Sequence, residues 1–180
     1  MKNYIALFRG INVGGNSTLP MKELVAILES LGAQNVKTYI QSGNVVFQHQ
    51  PENIVELADK IKAIISKTHG FASQVILLNV ADMARAIAAN PFPKAEAEPK
   101  SLHLYFLADQ PENPNLNKLD QLKRDNEQYH LNDKVFYLHA PDGIGRSKLA
   151  AQVEKALGVA ATARNWRTVG KIMALAEQQG

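Results

Sequence analysis

Two clusters of side chains in this 180-residue chain carry the groups needed to grip an anion or a polar ligand. The first is divided between Arg9-Gly10-Ile11-Asn12-Val13-Gly14-Gly15 and Gln41-Ser42-Gly43-Asn44. A guanidinium such as that of Arg9 can meet a carboxylate or phosphate with two parallel hydrogen bonds. A glycine-rich stretch leading from a strand toward a helix can turn successive backbone N–H groups onto a negative charge, a role for Gly14 and Gly15. Asn12, Gln41, Ser42 and Asn44 add side-chain donors and acceptors. The spacing matches neither a P-loop, which needs Gly-Lys-Ser/Thr, nor the three spaced glycines of a dinucleotide fingerprint. A purely structural role accounts for the same residues. The glycines would supply unusual backbone angles, Asn12 and Asn44 would satisfy backbone groups, and Arg9 would tie the loop to the hairpin.

The second cluster lies in the last third: Arg146, Ser147 and Lys148, then Arg164, Asn165, Trp166, Arg167 and Thr168. Cations beside an aromatic ring can bind phosphate and stack a base. Against this, Trp166 keeps helical register with Val169, Ile172 and Met173, the spacing of a core residue, and Asn165 suits a helix N-cap. A third place for nucleic acid is a sheet face carrying Tyr4, Phe8, Phe47, Tyr105, Phe106, Phe136 or Tyr137, but the RNA-reading signature is missing. The five histidines, His49, His69, His103, His130 and His139, have no partner at metal-ligand spacing. Ser17, Ser42 and Ser147 lack a nucleophile elbow. No metal and no cofactor is expected.

Composition frames these clusters. With 46% hydrophobic and 21% charged residues the chain can build an ordinary core. It has no cysteine, which excludes disulfides, thiolate metal sites and a cysteine nucleophile, and suits a reducing compartment. The N-terminus has no signal-peptide pattern and no apolar run is long enough to span a bilayer, so a cytoplasmic protein without a membrane partner is expected. A net charge of +3 permits an anionic partner without demanding one. Oligomeric state has no signature in the sequence.

The elements that must position the clusters follow from hydrophobic periodicity. Tyr4–Phe8 reads as a strand with both faces partly buried. Pro20 opens a helix carrying Leu24, Leu28 and Leu31, and Gly32 closes it. Val36–Ile40 and Val45–Phe47 read as strands around the Gln41–Asn44 turn. Pro51 opens a helix through Ile54, Leu57, Ile61 and Ile65 to Gly70. Val75–Val80 is a strand and Asp82–Ala89 a short helix. Asn90–Ser101, with Pro91, Pro93 and Pro99, reads as a connection. The order then repeats: strand Leu102–Leu107, a helix through Leu116, Leu119 and Leu122, strand Val135–His139, turn Pro141–Gly143, and a weak return strand Ile144–Ser147. A helix through Leu149, Val153 and Leu157 ends at Gly158, Val159–Arg164 is a strand, and Asn165 caps a last helix. A loop and one helix over Gly143–Leu157 is the competing reading of the weak return strand.

The expected fold is therefore α+β, two tandem ferredoxin-like (split βαβ, α-β plait) halves, each with an appended helix. The first half covers 1–90, the connection 91–101 and the second half 102–180. Right-handed crossover places Arg9–Gly15 and Gln41–Asn44 at one end of one sheet. RGINVGG (Arg9–Gly15), YIQSGNVVF (Tyr39–Phe47), PDGIGRSKL (Pro141–Leu149) and ARNWRT (Ala163–Thr168) resemble a widespread bacterial family, domain of unknown function family 1697. The resemblance runs over both halves. It implies the paired α-β plait fold and brings no activity, substrate or catalytic residue.

Three readings of function stay open on these residues. One is a binding protein for a small anionic or polar ligand at the Arg9–Gly15 loop and the Gln41–Asn44 hairpin. Another is a nucleic-acid-associated protein using Arg146, Lys148, Arg164, Asn165 and Arg167 on a basic C-terminal face. The third is an enzyme of unassigned class with the same loop as its pocket.

Overall fold

A computed structural model describes residues 1–180. The protein is mixed α+β, with two four-stranded antiparallel sheets and six helices. The chain divides into two compact units, Met1–Arg85 with Lys171–Gly180, and Ala86–Gly170.

The first unit contains β1 (Lys2–Arg9), α1 (Met21–Ser30), β2 (Gln34–Tyr39), β3 (Asn44–His49), α2 (Ile54–His69) and β4 (Gln74–Asn79), in sheet order β2-β3-β1-β4. Its core forms because Tyr4, Ala6 and Phe8 of β1 alternate onto the face that also carries Val45, Phe47, Val75 and Leu77. The helices meet that face with stripes at i, i+3 and i+4, Leu24, Ile27 and Leu28 from α1 and Leu57, Ala58, Ile61 and Ile65 from α2. Ile5 and Leu7, on the opposite face of β1, are also fully buried. Asn53, rather than Pro51, starts α2: its side chain accepts from the N–H groups of Val55 and Glu56, and Gly70 closes the helix in the left-handed conformation. The chain's last residues return to this unit, where the Gln48 side chain donates to the Gln179 carbonyl at 3.0 Å.

α3 (Val80–Ala88) follows β4. Asn79 and Asp82 exchange side-chain and backbone hydrogen bonds at its start, a reciprocal N-terminal cap.

The second unit repeats the order: β5 (Leu102–Leu107), α4 (Leu116–Leu122), β6 (Gln128–Asn132), β7 (Val135–His139), α5 (Lys148–Leu157) and β8 (Ala161–Asn165), in sheet order β6-β7-β5-β8. A short 3-10 helix, Pro93–Ala97, precedes β5, and α6 (Trp166–Glu177) follows β8. Tyr105, Leu107, Phe136 and Leu138 pack with Leu119, Leu149, Val153 and Leu157 into this unit's core.

The hairpin of the second unit differs from the sequence expectation. Ile144–Ser147 is not a strand. The hairpin partner of β7 is β6, which precedes it, and Asn132 pairs with Val135 across a two-residue turn with Asp133 at φ +54°. β6 is an edge strand whose apolar residues are only Tyr129 and Leu131, both turned to the helix side, so its hydrophobic signal is thin. Ser147 instead caps α5, its hydroxyl accepting from the Ala150 N–H at 3.1 Å. Ile40 also departs from its expected strand. It lies in the loop at φ +50° with its side chain exposed, a strained conformation for a β-branched residue.

One buried group in the second unit should respond to acid. His103, in the central strand β5, is buried, and its Nδ1 has no hydrogen-bond partner. Burial lowers its pKa from 6.5 to about 4. The unfolded chain therefore binds a proton that the folded chain refuses, so stability is full above pH 6.5 and falls as the pH drops toward 4. Urea unfolding measured from pH 7 to pH 4 should show a loss of about 2–3 kcal/mol from this group. His103→Leu should flatten that part of the profile.

Candidate functional site

The Arg9–Gly15 loop and the 40–43 hairpin meet at one end of the first sheet. β1 and β3 pair with Leu7 opposite Asn44, so the end of one strand abuts the start of the other. The Phe8 N–H donates to the Gly43 carbonyl at 2.8 Å. Gly43 is buried at this seam. A Cβ there would stand 2.5 Å from Phe8 Cβ and 2.8 Å from Ile11 Cδ1, and its φ is +83°. Both space and backbone angle require glycine.

Asn12 joins the loop to itself and to the hairpin. Its side-chain oxygen accepts from the Leu19 N–H at 2.7 Å. Its amide nitrogen donates to the carbonyls of Leu19 at 2.7 Å and Gln41 at 3.1 Å. The residue adopts φ +54°, which asparagine tolerates better than other non-glycine residues. The Asn12 N–H donates to the Ser17 carbonyl, and Asn16 to Val13, closing the small turn that contains Gly14 and Gly15. Asn44 is buried, and its side-chain amide donates to the Tyr39 carbonyl at 3.1 Å and to Ser42 Oγ at 3.0 Å.

The residues named from sequence thus fall into two sets. Asn12 and Asn44 turn inward and hold the loops. Arg9, Gly14, Gly15, Gln41 and Ser42 are exposed at the same end of the sheet. Nothing lies within 4 Å of a Cβ built on Gly14 or Gly15, so the space above their backbone is open. The exposed side chains of Val13 and Ile40 add an apolar rim. Gly43 was readable as a turn residue, but its contact with Phe8 and Ile11 has no local signature.

The second cluster is less uniform. Arg146, Lys148 and Arg167 are exposed. Arg164 is half-buried in β8, donating to Thr162 Oγ1 at 2.8 Å and to the Ala163 carbonyl at 2.9 Å. Burial pushes its pKa down to about 10, which leaves it cationic at neutral pH. Asn165 Oδ1 accepts from the Thr168 N–H at 2.9 Å and so caps α6. The strand aromatics Tyr4, Phe8, Phe47, Tyr105, Phe106, Phe136 and Tyr137 are all buried, and none is available to stack a base on a sheet face.

A feature the sequence did not single out lies in the second unit. A cleft of about 570 Å³ is lined by the 91–98 segment with Gln128, His139 and Pro141. Its only sequence signal is the run of prolines read above as a connection.

The family described as "Protein of unknown function (DUF1697)" matches residues 1–137. Among solved structures, the chain is similar to conserved bacterial protein SP0830 from Streptococcus pneumoniae, at 23% sequence identity and a TM-score of 0.70, covering 97% of this chain and 98% of that one. At that identity the likeness speaks for the fold. No curated protein matches.

Gly43→Ala should destabilise the protein by about 2–4 kcal/mol, summing overpacking against Phe8 with an unfavourable positive φ. Thermal or urea unfolding reads this directly. Gly14→Ala, with open space at its Cβ, should cost only the backbone term of about 1 kcal/mol.

Proposed function

We propose, from the premise that this chain belongs to the DUF1697 family, that it is a binding protein for a small anionic or polar ligand, held at the loop and hairpin end of the first unit. The observation that carries this reading is the Asn12 side chain. It bonds Leu19 on one side and Gln41 on the other, and so makes one platform of two segments remote in sequence. On that platform Arg9 supplies a cation and two-pronged donation, and the open backbone at Gly14 and Gly15 lets a ligand approach closely. Gln41 and Ser42 supply neutral polar contacts. Asn12, Ser17 and Ile40 adopt positive φ without being glycine, and strain of this kind concentrates at sites where geometry is held for a purpose.

The finer architecture belongs to the same proposal. Each unit reads as a ferredoxin-like split βαβ, supported by the shared sheet orders β2-β3-β1-β4 and β6-β7-β5-β8. Cytoplasmic localisation is part of it too, motivated by a cysteine-free composition suited to a reducing compartment.

The test is thermal-shift screening of the purified chain against sugar phosphates, carboxylates and short oligonucleotides at low and moderate salt. A ligand at a hundred times its Kd should raise the melting temperature by about 5–10 °C. The shift should persist in salt and vanish in Arg9→Ala, whose own melting temperature should stay near that of the parent because Arg9 is exposed. A shift retained in Arg9→Ala would sink the assignment. Stabilisation by oligonucleotides alone, fading steeply with salt, would transfer the reading to Arg146, Lys148 and Arg167.

A further inference from the structure

The cleft of the second unit lies far along the chain from the platform above and is built by different means. Its rigid part is the sheet. Gln128 of β6 pairs with His139 of β7, and His139 pairs with Leu102 of β5, so Gln128 and His139 stand side by side on one face at the end of the sheet. Paired residues on neighbouring strands hold their Cβ atoms about 5 Å apart. The facing wall is the 91–98 segment, which is fixed by its own hydrogen bonds. Asn90 Oδ1 accepts from the Phe92 N–H at 3.0 Å, Phe92 O accepts from Ala95 N–H at 3.0 Å, and Ala95 O accepts from Glu98 N–H at 3.0 Å. Ser101 ties the segment's end to the sheet, donating from its N–H and hydroxyl to the Glu98 carbonyl and accepting from the Ala140 N–H at 2.8 Å. Ala95 is buried beneath. The cleft is therefore preformed on both sides.

Its chemistry is specific in class. The Phe92 and His139 rings lie 6.3 Å apart at 35° and, with Pro141, give it an aromatic and apolar surface. Around them stand a cation, Lys94, an anion, Glu98, and the amide of Gln128, which both donates and accepts. Opposite charges in one small cleft do not select a simple anion. A flat ring that stacks and carries donors and acceptors on its edge would use all of these groups together. A volume of about 570 Å³ lies within the range of small-molecule sites. We propose that this cleft is a binding site for a small planar heteroaromatic molecule of the nucleobase or nucleoside class, stacked on Phe92 and His139 and read at its edge by Gln128 and Glu98.

Isothermal titration of the full chain with adenosine, guanosine, cytidine and uridine, with ribose as the ring-free control, tests this. One or more nucleosides should bind while ribose does not. Phe92→Ala should weaken that binding about tenfold or more, the usual cost of a lost stacking surface. Gln128→Leu should change which nucleoside binds best. Gln128 is exposed on an edge strand, so this variant should leave the fold intact and can be judged even if Phe92→Ala does not fold. Nucleosides that behave like ribose, or bind both variants as they bind the parent, would overturn the proposal.

Discussion

In the first unit Gly43 lies too close to Phe8 for any side chain at that position. The pairing of β1 with β3 brings these two backbones together, and the Phe8 N–H bonds the Gly43 carbonyl at 2.8 Å. No side chain could stand in between, since a Cβ on Gly43 would meet Phe8 and Ile11 at under 3 Å. Once this contact exists, the hairpin lies within reach of Asn12, whose amide spans from Leu19 to Gln41. The inward residues then need no ligand to be satisfied. The outward ones, Arg9, Gly14, Gly15, Gln41 and Ser42, stand exposed on the support that Asn12 and Asn44 build. That is the arrangement a binding surface requires: a packed support and an exposed edge.

Burial of the strands narrows where function can reside. In the first unit Ile5 and Leu7 are as inaccessible as Tyr4 and Phe8, which point the other way. β5 in the second unit is likewise buried along its whole length. The central strands β1 and β5 supply scaffold, and strand ends and loops are where binding residues concentrate. The loop platform of the first unit and the cleft of the second both follow this rule, one beyond the end of β1 and the other beyond the end of β7.

The two units reach their sheets with unequal sequence signals. β3 is a run of buried apolar residues, and β2 pairs with it across a four-residue loop, Ile40–Gly43. β6 is polar and exposed at alternate positions, and it pairs along its whole length with β7. Pro141–Gly143, which resembled a hairpin turn, instead leads the chain toward the Ser147 cap of α5. The displaced hairpin has a consequence. It places Gln128 beside His139, a neighbourhood that depends on which strand pairs with β7.

Local chemistry was legible without coordinates. Periodicity marks the helices through Leu24 and Leu28, through Ile61 and Ile65, and through Leu149 and Val153, because a buried stripe must recur with the helical turn. Gly70, Gly158 and Asn165 mark helix ends, because a cap is a property of one residue and its neighbours. The meeting of the Arg9–Gly15 loop with the hairpin followed from strand order alone. Other features arise only in three dimensions. Whether Asn12 faces a ligand or Leu19, whether Gly43 has room for a methyl group, and which strand pairs with β7 depend on distances between segments that no local pattern encodes. The return of Gln179 to Gln48 and the cleft beside His139 are of the same kind. The sequence by itself determined the helices and the strongly apolar strands, since these rest on patterns within a few residues. Only the tertiary structure decided which polar side chains turn inward and which stay exposed, since hydrogen bonds and close contacts between remote segments exist only once the chain has packed.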